Sequence, residues 1–151
     1  MKKLHVRMVL VLVGIVSLAF CVSLHSNHPA YQHSLSDLRA ARWMIEHRPG
    51  GWDLVWDEAE AVRQIDAAIN EIKESAADDG KNIDSYPAVD ARPDHAGRLQ
   101  QALDLLNKAY TDINQEEINL FAKESRDRAN GHIEAAIQAT RNALNDNFPG
   151  T

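Results

Sequence analysis

The sequence predicts an all-α protein: an antiparallel up-down-up-down four-helix bundle after an N-terminal signal segment. Three observations predict it, namely an apolar stripe that recurs every 34 residues, turn residues between the copies, and a basic then apolar leader. No stretch of the chain shows the apolar–polar alternation of a half-buried strand. The length of 151 residues suits one domain.

The apolar stripe is clearest between residues 65 and 76. Its members follow the i, i+3, i+4, i+7 spacing of an amphipathic helix; they are Ile65, Ala68, Ile69, Ile72 and Ala76. The stripe returns 34 residues later from Leu99, again from Ile133, and as a weaker copy from Tyr31. Each period holds one long helix and its connection, whereas tetratricopeptide arrays fit two helices into a period of this length.

Capping and turn residues divide the chain into four predicted helices. The first follows a cap at Asn27 and ends near His47, before a Pro-Gly-Gly turn. The second helix begins near Asp53, or at Asp57 with Glu60 completing a capping box, and it ends at Asp79. The third helix follows a cap at Asp90 or Asp94 and ends at about Gln115. The fourth helix follows a cap at Asn119 and ends at about Asn147. Asn130-Gly131 reads as a turn in isolation, but the stripe resumes at Ile133, so we expect a continuous fourth helix.

The N-terminal segment has the pattern of an export leader. Three basic residues among the first seven precede an apolar run of 15 residues, Met8–Val22. That run is shorter than the ~20 residues of a membrane span. We therefore predict a signal peptide over 1–23, with a retained membrane anchor as the alternative, and the bundle domain over 24–151. Leu18–Cys21 resembles a lipoprotein box, although Phe20 departs from its pattern.

Cysteine content and charge exclude several classes of function. Cys21 is the only cysteine, so cleavage after it would leave no disulfide, thiolate metal site or cysteine nucleophile. Loss of the leader removes three positive charges, which leaves 13 basic against 22 acidic residues and a net charge of −9. An acidic domain repels phosphate backbones. We expect no nucleic-acid partner, and membrane contact only through an N-terminal segment that is uncleaved or lipidated.

The sequence contains no catalytic motif, which predicts a protein that is not an enzyme. GxSxG, the Walker loop, HExxH, GxGxxG and the Glu-x-x-His signature of di-iron bundles are all missing. Three tryptophans gather around the first turn between helices: Trp43, Trp52 and Trp56. They either plug the end of the bundle or line a ligand cleft. An envelope protein, a small ligand or a second copy of the chain are the expected partners.

Histidines and one carboxylate form the candidate metal site. His28 and His95 lie near the starts of the first and third helices, and Asp79 closes the second. In an up-down-up-down bundle these three residues would meet at one end. Imidazole and carboxylate together suit a divalent transition metal such as zinc, copper or nickel. The alternative is an ordinary polar end with capping hydrogen bonds, and no other cofactor is expected.

Three phrases of the chain resemble a family of known proteins. HPAYQHSLSDLRAAR, IDAAINEIKESAADDGKN and RDRANGHIEAAIQAT are similar to small exported bacterial helical-bundle proteins of unknown function. This resemblance implies an exported helical domain and supplies no activity. His132–Ile137 also resembles a repeat of small periplasmic metal-binding bundles. Those proteins carry many such histidines, whereas this chain has the full phrase once.

Together these observations predict an exported, non-enzymatic binding or interaction module of the bacterial cell envelope, located in the periplasm or at the envelope. The alternative is a periplasmic metal-binding protein that uses His28, His95 and Asp79.

Overall fold

The computed structural model describes residues 29–48, 50–51, 53–77, 94–115 and 120–147. These ranges form four α-helices and no strand: α1 over Pro29–Glu46, α2 over Trp56–Ala77, α3 over His95–Asn114 and α4 over Leu120–Asn147. The predicted all-α class and the four helices are confirmed, including a continuous α4 through Asn130-Gly131. The predicted leader lies outside the described residues. None of the four described helices is long and apolar enough to be a membrane-spanning candidate.

Local hydrogen bonds explain where α2 and α3 begin. Asp94 caps α3, because its side chain accepts a hydrogen bond of 2.6 Å from the backbone N–H of Gly97. The predicted capping box at Asp57 is wrong. Instead, a carboxylate oxygen of Glu58 accepts a hydrogen bond of 3.1 Å from the N–H of Val55, just before α2.

Contacts between the helices show that each packs against antiparallel neighbours. Ser34, near the start of α1, donates a buried hydrogen bond of 3.1 Å to the carbonyl of Ala109, near the end of α3. Arg128 of α4 contacts Glu71 in the later part of α2, at 2.8 Å. Around the bundle, α1 and α4 each pack against both α2 and α3. The diagonal pairs, α1 with α4 and α2 with α3, are therefore parallel.

The predicted up-down-up-down order is wrong, because α2 and α3 begin at the same end. Glu58, the third residue of α2, lies 2.5 Å from His95, the first residue of α3. A helix of 22 residues is about 33 Å long, so the predicted order would separate these two residues by roughly that length. The bundle instead runs up-down-down-up. We call this end the His95 end and the opposite one, where α1 begins, the Pro29 end.

Heptad spacing of large and small side chains builds the core. The predicted stripe is buried in α2, α3 and α4 at twelve positions: Ile65, Ala68, Ile69, Ile72, Leu99, Ala102, Leu103, Leu106, Ile133, Ala136, Ile137 and Thr140. Small residues recur seven apart on every helix: Ser34 and Ala41, Ala61 and Ala68, Ala102 and Ala109, and Ala129, Ala136 and Ala143. Because small side chains allow close packing of helix backbones, they suit the α2–α4 pair, whose contact is the most extensive.

Candidate functional site

A layer of polar side chains closes the core at the His95 end. Glu58 lies seven residues before the buried Ile65, and His95 lies seven before the buried Ala102. Arg48 follows α1 at the same end of the bundle. The heptad positions that hold apolar residues in the core therefore hold ionisable residues at this end of the bundle. We call Arg48, Glu58 and His95 the polar layer.

Glu58 is the centre of the polar layer. Its carboxylate has no exposed surface, whereas the side chains of His95 and Arg48 are 12% and 15% exposed. Oε1 lies 2.5 Å from His95 Nε2, and Oε2 lies 3.4 Å from Arg48 Nε. The N–H of Val55 also donates to Oε2. A carboxylate can be buried here because its charge has partners on both oxygens.

An aromatic cluster extends the polar layer toward the surface. The Trp43 ring stacks on His47, with ring centroids 4.3 Å apart. The guanidinium of Arg98 lies over the same Trp43 ring at 5.6 Å, and its Nη1 donates a hydrogen bond to the His47 carbonyl. Trp43 packs against the core, which agrees with its predicted role as a plug. Trp56 is 81% exposed and plugs nothing, and Trp52 lies outside the described residues.

The Glu58–His95 pair resembles a catalytic carboxylate–histidine pair, but its location argues for a structural role. Nε2 of His95 contacts Glu58, and Nδ1 is buried as well. A general base must come within hydrogen-bond reach of the proton that it removes from a substrate. Neither ring nitrogen faces solvent in this arrangement. The pair therefore holds the starts of α2 and α3 together.

The predicted metal site is only partly covered by the structure. His28 and Asp79 lie outside the described residues, so the set of His28, Asp79 and His95 stays a prediction. Their described neighbours, Pro29 and Ala77, lie at the Pro29 end, opposite His95. Within the described ranges, no group of three or more histidine, cysteine, aspartate and glutamate residues could hold a metal ion. The helix directions therefore remove the reason for expecting these three residues to meet.

His132, which the resemblance implicated in metal binding, contacts an amide instead. Its Nδ1 lies 2.7 Å from Oε1 of Gln64 on α2. The contact joins the middle parts of α2 and α4, and Arg128 joins Glu71 one turn further toward the Pro29 end. His132 therefore has a packing role between two helices in the described structure.

A groove between the start of α3 and the end of α4 is the candidate ligand site. Its volume is about 510 Å³, and its walls comprise Asp94, Ala96, Gly97, Gln100, Leu103, Arg141, Leu144 and Asn145. Leu103 is buried and Leu144 is half-buried, so they form an apolar floor. The exposed Arg141 and Asp94 supply opposite charges along the groove. Sequence reasoning missed Arg141, because an exposed arginine on a helix carries no local signal of a site.

Comparison with known proteins gives no match. No protein-family model, no curated protein and no solved structure matches this chain. The resemblance to exported helical-bundle proteins therefore stays a prediction.

Proposed function

We propose that the protein is an exported, non-enzymatic binding module of the bacterial cell envelope, and that its ligand site is the groove between α3 and α4. The observation that carries this proposal is the combination of an apolar floor with an arginine, Arg141, that has no ionic partner among the described residues. Ligand sites are typically concave, mostly apolar and supplied with a few polar groups, at volumes of roughly 300–1,000 Å³. A groove of about 510 Å³ falls within that range.

Arg141 differs from the other arginines of the described helices. Arg42 pairs with Asp66 at 2.7 Å, and the guanidinium of Arg63 lies 2.6 Å from Glu60. Within the described ranges, Arg141 alone among the arginines contacts no carboxylate, carbonyl or ring. An arginine without an ionic partner, in a chain with an excess of acidic residues, is available to bind an anionic group. This supports a ligand that carries a carboxylate or another anion.

The polar layer supports a binding function over an enzymatic one. Its only carboxylate is fully buried and engaged, and both nitrogens of its histidine are enclosed. The groove itself contains one carboxylate, Asp94, and that side chain already caps α3. A groove that offers a charge of each sign and amide groups can orient a ligand without transforming it.

Export is the second part of the proposal, and the leader sequence supports it. Three basic residues followed by Met8–Val22 form the pattern that export machinery reads. Incorporation of a fatty-acid analogue would show lipidation at Cys21, and its loss in Cys21→Ser would locate the lipid. Nucleic acid is not a proposed partner, because the acidic charge of the domain disfavours it.

Thermal unfolding with a panel of small compounds tests the binding proposal. The panel contains neutral, cationic and carboxylate-bearing compounds, and the protein is purified after expression of the full chain. A ligand that binds only the folded state raises the melting temperature. We expect a rise with carboxylates that is lost in Arg141→Gln and retained in Lys123→Gln, which removes an exposed cation elsewhere on α4. If no compound raises the melting temperature, the groove is not a ligand site.

Calorimetry with zinc and copper on untagged protein tests the metal-binding alternative. This alternative requires His28 and Asp79 to join His95, and it predicts binding that weakens below about pH 6.5 as imidazoles take up protons. His95→Ala would then abolish binding, whereas His33→Ala would leave it unchanged. Equal effects of the two substitutions would exclude the predicted ligand set.

A further inference from the structure

We infer that the groove binds a short zwitterionic peptide of two to four residues, with its carboxylate on Arg141 and its ammonium group toward Asp94. This inference depends on the proposed function and names the ligand of that same groove. Three properties of the groove support this inference: the axial offset between its two charged residues, the partners that each charged group already has, and the apolar floor beside them.

The register of α3 against α4 gives the offset between Asp94 and Arg141 along the bundle axis. Tyr110 forms a side-chain hydrogen bond with Glu134, so these residues lie at the same level of the two antiparallel helices. Leu103 lies seven residues before Tyr110 on α3, and Arg141 lies seven residues after Glu134 on α4. Because the two helices are antiparallel, Leu103 and Arg141 are also at the same level. Asp94 precedes Leu103 by nine residues, which is about 13 Å at the rise of an α-helix.

A peptide of about three residues fits this distance. An extended chain spans at most 3.3–3.6 Å per residue, so a tripeptide is about 10 Å long. A hydrogen bond at each end of the peptide adds about 3 Å to the distance that it spans. A free amino acid is too short to engage both charges at once. A longer peptide would extend past Asp94, beyond the charged groups of the groove.

Each charged residue of the groove retains the capacity to bind a ligand. One oxygen of Asp94 accepts the capping hydrogen bond from Gly97, while the other has no partner among the described residues. That second oxygen can accept a hydrogen bond from an ammonium group without loss of the cap. Arg141 can bind a carboxylate through two parallel N–H···O bonds, the geometry that makes arginine–carboxylate pairs strong.

The surface between the charges suits an apolar side chain and a peptide backbone. Leu103 lies level with Arg141, Leu144 lies about one turn nearer to the end of the groove that holds Asp94, and both offer aliphatic contact. Gln100 and Asn145 also line the groove, and their amides can donate to or accept from a peptide group. A small apolar peptide such as Ala-Leu-Ala therefore satisfies every feature of the groove at once.

Isothermal titration calorimetry with Ala-Leu-Ala tests this inference on protein purified after expression of the full chain. We expect binding that weakens by about tenfold or more in Arg141→Gln, the effect of losing one charged hydrogen-bonding partner. Asp94→Asn should weaken binding as well, and the helix should stay intact because asparagine is an equally good cap. The matched controls are Lys123→Gln on α4 and Asp112→Asn on α3, which lie away from the groove and should bind the peptide as the unchanged protein does.

Blocked peptides separate the two charged contacts. The C-terminal amide of Ala-Leu-Ala should bind the unchanged protein as weakly as the free peptide binds Arg141→Gln. The N-acetyl form should bind as weakly as the free peptide binds Asp94→Asn. Equal binding of the acetylated and free peptides would overturn the inference, because Asp94 would then not contact the ammonium group. Equal losses of peptide affinity in Arg141→Gln and Lys123→Gln would also overturn the inference, because they would indicate nonspecific attraction between charges.

The thermal panel distinguishes failure of this inference from failure of the proposed function. If a carboxylate compound without an ammonium group stabilises the protein through Arg141 and Ala-Leu-Ala does not bind, the peptide assignment is wrong and the binding module stands. If neither binds, both proposals are wrong.

Discussion

Replacing His95 by leucine is expected to lower the free energy of unfolding by about 3 kcal/mol. The reason is the complete burial of Glu58, which cannot regain water when the 2.5 Å contact to His95 Nε2 is lost. Removal of a partner from a buried charged group typically costs about 3–5 kcal/mol. Arg48 and the N–H of Val55 would still contact the other carboxylate oxygen. We therefore expect a value near the low end of that range.

The double replacement Glu58→Leu with His95→Leu should be more stable than the sum of the two single effects predicts. It leaves no buried carboxylate without a partner, although Arg48 loses its contact with Glu58, so we expect non-additive losses in the two single variants. Contacting residues show coupling energies of about 0.5–3 kcal/mol in a double-mutant cycle. Urea unfolding followed by far-ultraviolet circular dichroism measures all four proteins of the cycle. Glu60→Leu is the control, because Glu60 lies on the same helix and pairs with Arg63 at the surface.

Two results would refute this reasoning. A loss in His95→Leu no larger than the loss in Glu60→Leu would mean that the polar layer is open to water. Additive effects of the two single replacements would mean that Glu58 and His95 do not contact each other. In either case α2 and α3 need not begin at the same end of the bundle.

Three further predictions concern the core, a surface carboxyl group and the leader. Ile69→Ala should lower the free energy of unfolding, measured by urea titration, by about 2–5 kcal/mol. Asp66→Ala should change it by no more than about 1 kcal/mol. A larger loss in Asp66→Ala than in Ile69→Ala would contradict the assigned core face. Hydrogen bonds from Arg63 and then Gln64 lower the pKa of Glu60 from 4.5 to about 2. The stabilisation from this ionised group should therefore be present above pH 4.5 and disappear as pH falls toward 2, and a carboxyl NMR titration should move the pKa back toward 4.5 in Arg63→Ala. A fusion of residues 1–30 to a reporter that works only outside the cytoplasm should be active, and an inactive cytoplasmic fusion would contradict export.

The helices could be predicted from the sequence, but their directions could not. The period of the apolar stripe predicts which face of each helix is buried. Ile65 and Leu99 lie on that face, and both are fully buried. That same regularity makes the four helices nearly interchangeable, so the apolar pattern does not say which helix starts meet. The helix directions are indicated instead by contacts between polar residues. Glu58 needs a partner in the core, and His95 supplies it only if α2 and α3 begin at the same end.

The candidate site was predictable in part. His95 lies near the core face, as its position on the stripe predicts, but its contact with Glu58 follows only from the directions of α2 and α3. Glu58 could have been found, since it lies seven residues before Ile65 on the same stripe. Arg141 could not have been found in this way. Its significance depends on the apolar groove beside it, which only the packing of α3 against α4 creates.

The direction of α1 has a consequence for how the protein would sit at a membrane. The leader joins α1 at the Pro29 end, and 18 helical residues carry the chain about 27 Å away from that point. A retained leader, or a lipid on Cys21, would therefore tether the bundle by the end that is farthest from the groove. The exposed Trp56 lies at the opposite end of the bundle from that tether, at the start of α2.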